Sequence, residues 1–273
     1  MGRIKTYVST DGQVWCAKAA PSTWAAARDE TGTTDVSVLA ADRNFVQVNY
    51  EITRGGDNYL VQRAYFSFDT SQIKSIPKNA SLNLSGYHDK QLDLIVVKAS
   101  APGIGVALTT NDYDAIVGLS AGNTMAGNVT DYSSEFTMTS WVSTGYNTIS
   151  LNAAARSDMA SQDRLQIAVI SYDYDYLNVA PPEGSMIRTG MQFQPTGGTV
   201  ADPYIEYPDK ALWISPDDTI PEHPPSSTDF VSNKYKKLSR EYTKNTSQIP
   251  FSKGIKGPAN LRGRNTAYTA TKG

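Results

Sequence analysis

An all-β sandwich is the fold class this sequence predicts, and three observations predict it. Short segments alternate apolar and polar residues with the period of two that a half-buried strand requires. Turns containing Gly or Asn separate many of them, in a chain of 273 residues with 20 Gly and 14 Pro. Helix-period stretches are few. About eight or more strands with long connections fit a two-sheet sandwich or jelly roll better than a parallel α/β sheet, which needs a crossover helix between successive strands. Hydrophobic residues make up 40% and charged residues 19% of the chain, which argues against a fully disordered chain, a coiled coil or a collagen.

In chain order, residues 1–22 read as an amino-terminal segment and 23–207 as the sandwich body. Phe45 to Ile52 places Val46, Val48, Tyr50 and Ile52 on one side. Gln62 to Phe68 places Ala64, Phe66 and Phe68 on one side and Arg63, Tyr65 and Ser67 on the other. Leu82 with Leu84, then Ile104, Val106 and Leu108, then Ile149 with Leu151, repeat the pattern, and Leu165 to Ile170 and Tyr204 to Tyr207 complete it. Two short helices are expected: Asp112 to Val117 behind Thr110 or Asn111, and Ala153 to Ala160 behind Asn152 as cap. Asp69, Thr70 and Ser71 should bond nearby amides in a corner, with Pro77 fixing the entry to the next strand.

These residues carry a resemblance. Arg63-Ala-Tyr-Phe-Ser-Phe-Asp69-Thr-Ser-Gln-Ile73, followed by Ile76-Pro-Lys-Asn-Ala80-Ser-Leu-Asn-Leu84, resembles the R-x-x-x-x-F-D-x-S-x-I-P-x-x-A-x-L stretch of DNRLRE-type, carbohydrate-binding-module-like jelly-roll domains, with the I-P element displaced by a short insertion. Trp24 to Arg28, Tyr146 to Asn152 and Asp202 to Tyr207 extend the likeness over 24–207. Similar domains occur in secreted bacterial proteins that act on polysaccharides and in structural proteins of tailed-phage particles. The resemblance therefore implies a scaffold and leaves its use open.

Charge divides the chain. Residues 1–225 hold 15 Lys/Arg against 25 Asp/Glu, a balance of −10, whereas residues 226–273 hold 10 against 2, a balance of +8. Such asymmetry marks an interaction tail. Pro208, Pro216, Pro221, Pro224 and Pro225 make 208–231 a Pro-rich linker. In the basic carboxy-terminal arm, 232–273, Tyr235, Leu238 and Tyr242 recur at helical spacing behind Ser232, among Lys236, Lys237 and Arg240. Phe251, Lys253, Lys256, Arg262 and Arg264 follow in a stretch too poor in apolar residues to bury a core of its own. These are the candidate partner-binding residues. The interleaved aromatic and aliphatic side chains favour a neighbouring protein subunit over nucleic acid as the partner.

Tyr172-Asp-Tyr-Asp-Tyr176 is the most suggestive cluster in the body. If extended, it sets Asp173 and Asp175 on one side, and Tyr172, Tyr174 and Tyr176 as a ladder on the other. Three readings stand: an acid/base carboxylate pair, Ca²⁺ ligands, or a solvated strand end whose tyrosines pack. The ladder, with Trp15, Trp24, Trp141 and Trp213, also makes a carbohydrate platform conceivable.

The single Cys16, with His88 and His223 far apart, gives neither an intramolecular disulfide framework nor a His/Cys zinc set. Nucleotide-binding glycine motifs are missing, so no cofactor is expected, and what metal the chain binds, if any, is unknown at this stage. Arg3 and Lys5 are followed by Asp11, Gln13 and Lys18 before any apolar run develops, which is not the pattern of a secretory signal. No run approaches the roughly 20 apolar residues that span a bilayer. The sequence thus leads to an expectation of a non-enzymatic virion component: a tailed-phage head decoration, auxiliary or fibre-base protein, made in the host cytoplasm and docked by its arm onto capsid or tail proteins. The alternative is a carbohydrate-binding module that adheres to a polysaccharide.

Overall fold

The computed structural model describes residues 3–19, 21–31, 35–39, 44–88, 92–142, 145–191 and 202–208. The fold is mainly β and antiparallel. Ten strands are described: β1 (Arg3–Lys18), β2 (Val36–Leu39), β3 (Asn44–Thr53), β4 (Gly56–Asp69), β5 (Ser81–His88), β6 (Leu94–Lys98), β7 (Gly145–Ser150), β8 (Arg164–Ser171), β9 (Ser185–Met191) and β10 (Tyr204–Pro208). Among the described residues helix is confined to α1 (Trp24–Arg28), α2 (Ala153–Ser161) and single turns.

The strands join in one strongly curled sheet, in the order β2-β1-β10-β5-β9-β3-β4-β8-β6, with β7 on β5. Its curl comes from two long strands. Residues Arg3 to Tyr7 of β1 pair with β10, while Val8 to Lys18 run along β4. Between Val8 and Thr10 the register shifts, and an irregularity of this kind bends a strand and raises its twist. Because β4 also pairs with β3, the pairings lead from β1 through β10, β5, β9, β3 and β4 back to β1.

The expected strands at 45–52, 62–68, 82–84, 165–170 and 204–207 are present, lengthened by a few residues. Ile149 lies in β7 and Leu151 just beyond it. Asn152 caps α2 as expected, its side-chain carbonyl accepting from the amides of Ala154 and Ala155. Asp69 holds its corner through the amide of Ser71 at 2.9 Å.

Four expectations are corrected. Residues 1–22 are no separate segment, because β1 is a strand interior to the sheet. Its alternation, Arg3-Ile-Lys-Thr-Tyr-Val8, is mostly polar on both sides and does not read as half-buried. Ile104, Val106 and Leu108 form no strand: Ile104 and Val106 are exposed around a turn in which Val106 N–H donates to the Gly103 carbonyl at 3.0 Å. Asp112 to Val117 is not a helix beyond one tight turn at Thr110–Asp112, since the Tyr113 carbonyl accepts from Arg63 and Tyr65 rather than from an amide one turn on. Finally, β4 is not half-buried. Arg63, Tyr65 and Ser67 are as fully enclosed as Ala64, Phe66 and Phe68.

That double burial places the core. Phe66, Phe68, Leu82, Leu84, Val96, Ile167 and Val169 have no exposed surface, and each such side chain contributes roughly 1.5–3 kcal/mol relative to exposure. The outer edge of β6 is partly covered by bridges from Leu94 to Phe136 and from Val97 to Asp131, which shield a strand edge from foreign pairing.

Candidate functional site

Two places concentrate polar chemistry. The first is enclosed. β4 delivers Arg63, and the chain leaving β8 turns at once into a single wide helical turn, Tyr172–Tyr176, capped by the Ser171 hydroxyl on the Tyr174 amide. The turn carries Asp175 inward. Arg63 grips it with both arms, Nε to Oδ2 at 2.7 Å and Nη2 to Oδ1 at 2.8 Å. Arg63 also donates to the carbonyls of Tyr113 and Arg28, and Arg28 Nε donates to the Asp175 carbonyl at 2.9 Å. Arg28 is in turn paired with Asp29 at 2.5 Å. Tyr113 lies under the Arg63 guanidinium at 4.3 Å and donates to the Ala27 carbonyl. Burial works against the Arg63 charge, but Asp175 and this shell outweigh it and hold the guanidinium well above its ordinary range.

This arrangement decides between readings of Tyr172–Tyr176. The extended ladder is corrected: the segment is helical, Tyr172 and Tyr176 stack at 5.4 Å, and Tyr176 is buried with its hydroxyl on Asp131 at 2.8 Å. Tyr172 and Tyr174 are half-buried against the core. Asp173 and Asp175 do not form a pair. Asp175 is 1% exposed and consumed by two arginines, while Asp173 stays half-exposed, where burial and Asp93 raise its carboxyl above the usual range. A bidentate Arg–carboxylate bond of this kind fixes geometry and uses both Asp175 oxygens, leaving neither for acid/base work or for Ca²⁺. Among the described residues no group of three or more His, Cys, Asp or Glu side chains is placed to hold a metal.

The second place is open. On the outer face of β7, β5, β10 and β1 three tyrosines lie in a row across the strands. Tyr7 pairs with Tyr204 across β1 and β10, with ring centroids 5.4 Å apart, and Tyr146 reaches over β5 to meet Tyr204 edge-on at 4.9 Å. Tyr146 is anchored there, its hydroxyl donating to the Asp202 carbonyl at 3.0 Å. Tyr204 is buried between its neighbours, whereas Tyr7 is 50% and Tyr146 38% exposed. The Lys5 ammonium sits 4.3 Å above the Tyr204 ring. Its cross-strand neighbour Glu206 is taken by Arg3 at 3.2 Å. Beneath the row, Asn83 is held by the Thr148 hydroxyl at 2.8 Å. Burial and the surrounding phenols and Asp202 raise the Tyr146 phenol to about 12, so it remains a proton donor at neutral pH.

None of these three tyrosines was singled out as a site by sequence, although the alternation of Lys5, Tyr7 and of Tyr204, Glu206 carried the signal. Of the tryptophans, Trp24 and Trp141 are buried, Trp24 donating to Asn178 at 3.1 Å, and Trp15 is half-buried. Trp213, the linker beyond Pro208 and the arm residues Tyr235, Lys236, Lys237, Leu238, Arg240, Tyr242, Phe251, Lys253, Lys256, Arg262 and Arg264 lie outside the described residues. Comparison of the chain with protein-family models and with curated proteins finds no match in either.

Proposed function

We propose that the chain is a non-enzymatic structural component of a viral particle, a head decoration, auxiliary or fibre-base protein of a tailed phage. Its curled sheet would be wound as a jelly roll, and its arm would dock into neighbouring subunits. The observation that carries this reading is the division of charge, −10 in residues 1–225 against +8 in residues 226–273. An assembled neighbour with an acidic exterior offers the arm what it lacks. Docking would bury Tyr235, Leu238, Tyr242 and Phe251 and set Lys236, Lys237, Arg240, Lys253, Lys256, Arg262 and Arg264 against carboxylates, a complementarity that steers encounter and fixes register. The resemblance to carbohydrate-binding-module-like domains of particle proteins supports the same direction. So does the enclosure of Asp175, which withdraws the one carboxylate pair that the sequence offered for catalysis.

Deleting residues 232–273 tests the proposal. The shortened chain should stay folded and fail to join particles assembled from the remaining structural proteins. Incorporation at the level of the full chain would sink it.

A further inference from the structure

We infer that the free edge of β7 is a self-association surface, on which two copies of this chain pair their β7 strands antiparallel about a two-fold axis at Thr148. The surface lies wholly in the body and is independent of the arm and its docking.

Ser81 pairs with Ser150, Leu82 with Ile149 and so on to Gly86 with Gly145, and just past the strand the Leu151 amide donates to the Ala80 carbonyl at 2.9 Å. In an antiparallel ladder such bonded pairs recur at every second residue. Ile149, Asn147 and Gly145 therefore turn their backbone groups toward β5, and Tyr146, Thr148 and Ser150 turn theirs the other way. Among the described strands β7 pairs with β5 alone, and no backbone group of the described residues meets these three amides or carbonyls. The next outward amide, that of Asn152, is taken by the Tyr132 carbonyl at 2.8 Å, so the open stretch ends at Ser150.

A free edge in a folded protein ordinarily carries a safeguard: brevity, a charge, a proline, a bulge or a cover. The other two outer strands have one. β2 is four residues long, and β6 is bridged by Phe136 and Asp131. β7 has six residues in regular register, with neither proline nor charge. Residues 136–155 are all uncharged, twenty in succession, in a chain of which 19% is charged. That neutrality selects the occupant. The basic arm finds no carboxylate in the stretch to hold it, whereas two bodies of balance −10 repel wherever acidic surfaces meet and can approach where charge is missing. The strand is also its own complement. With Thr148 opposite Thr148 of the partner subunit, Tyr146 comes opposite Ser150 of the partner subunit and the reverse. All three outward residues then fall in bonded pairs, two N–H···O bonds to a pair and about six in all. The central Thr–Thr pair is itself a favourable cross-strand contact.

Hydrogen exchange of the full chain tests this without any substitution. The amides of Tyr146, Thr148 and Ser150 should exchange slowly in concentrated protein and fast on dilution. Sedimentation equilibrium should show monomer and dimer over the same range, roughly 1–100 µM for so small an interface. Thr148 is exposed, and Thr148→Lys sets two like charges across the axis, which should raise the dissociation constant at least about tenfold. Thr148→Glu should do the same, and an equal mixture of the two variants should pair again. Melting curves identify a variant that fails to fold, in which case the exchange result decides. A protein monomeric throughout that range, or a dimer that the folded Thr148→Lys protein keeps, as docking by the arm would give, overturns the assignment. So does a mixture that stays monomeric, or exchange at the three amides that ignores concentration, which would mean that nothing covers the edge or that another part of the same chain does.

Discussion

Asp175 shows how much a single side chain can hold in this protein. Two arginines, from α1 and β4, converge on it, and the bond to Arg63 joins residues 112 positions apart. Asp175→Ala leaves Arg63 enclosed without its counter-charge, and breaking a buried pair in this way costs about 3–5 kcal/mol; urea unfolding should record that loss. Asp11 works in the opposite sense. Burial is the main cause that lifts its carboxyl to about 6, offset by the Asn44 amide at 2.9 Å and reinforced by the nearby Asp202. The folded state therefore binds the proton more tightly than the unfolded chain, whose Asp titrates near about 3.9. Stability from this group is full below pH ~4 and falls as pH rises to about 6, then stays level. Asp11→Asn should remove that fall and gain about 1–2 kcal/mol at pH 8, discounted for the part of Asp11 that water still reaches. Thermal melting of both proteins from pH 4 to pH 8 would show it. Neither role was legible in sequence. Arg63 stood inside a quoted motif, but which carboxylate it meets depends on the path of a distant turn.

Elements were more legible where one face alone is covered. β7 alternates cleanly, Asn147 and Ile149 buried and Tyr146, Thr148 and Ser150 exposed, because a strand with one wet face must, whereas in β5 Asn83 and Ser85 are buried together with Leu82 and Leu84. β4 defeated the same reasoning, since its second face is covered by loops, and β1 did so because few of its residues are aliphatic. β6 is a run of four apolar residues, Leu94 to Val97, which periodicity cannot assign. The Asp112–Val117 stretch had a helical pattern, yet the Tyr113 carbonyl serves Arg63 and Tyr65. β5 also contains a strict steric requirement. A Cβ on Gly86 would lie 1.9 Å from the Val142 carbonyl oxygen, and that loop is clamped by Asn147 through bonds of 2.7 and 2.9 Å. Gly86→Ala must therefore move backbone, and it should cost about 1–3 kcal/mol, read as a lowered melting temperature. Little change would mean that the loop yields more easily than its bonds imply.

At the scale of the whole molecule, stability and assembly are expected to separate. The described core draws on strands from β1 to β10, and the pairing of Arg3–Tyr7 with Tyr204–Pro208 joins the first and last described strands of the chain. The chain lacking residues 232–273 should accordingly melt within a few degrees of the full chain even as it loses incorporation. A large drop in its melting temperature would assign the arm to the body instead. What the amino-acid sequence by itself determined is the strand-rich class, most strand positions, the α2 cap and the split between an acidic body and a basic arm. Each of these follows from local periodicity, capping chemistry or a count of charges. The tertiary structure alone decided that the strands join in one curled sheet, that Asp175 is locked beneath two arginines, and that Tyr7, Tyr146 and Tyr204 share a face. Those outcomes bring together residues some 50 to 200 positions apart in the chain, and no local pattern records which distant strand a residue will lie beside, because burial and register are settled only when the sheet closes on itself.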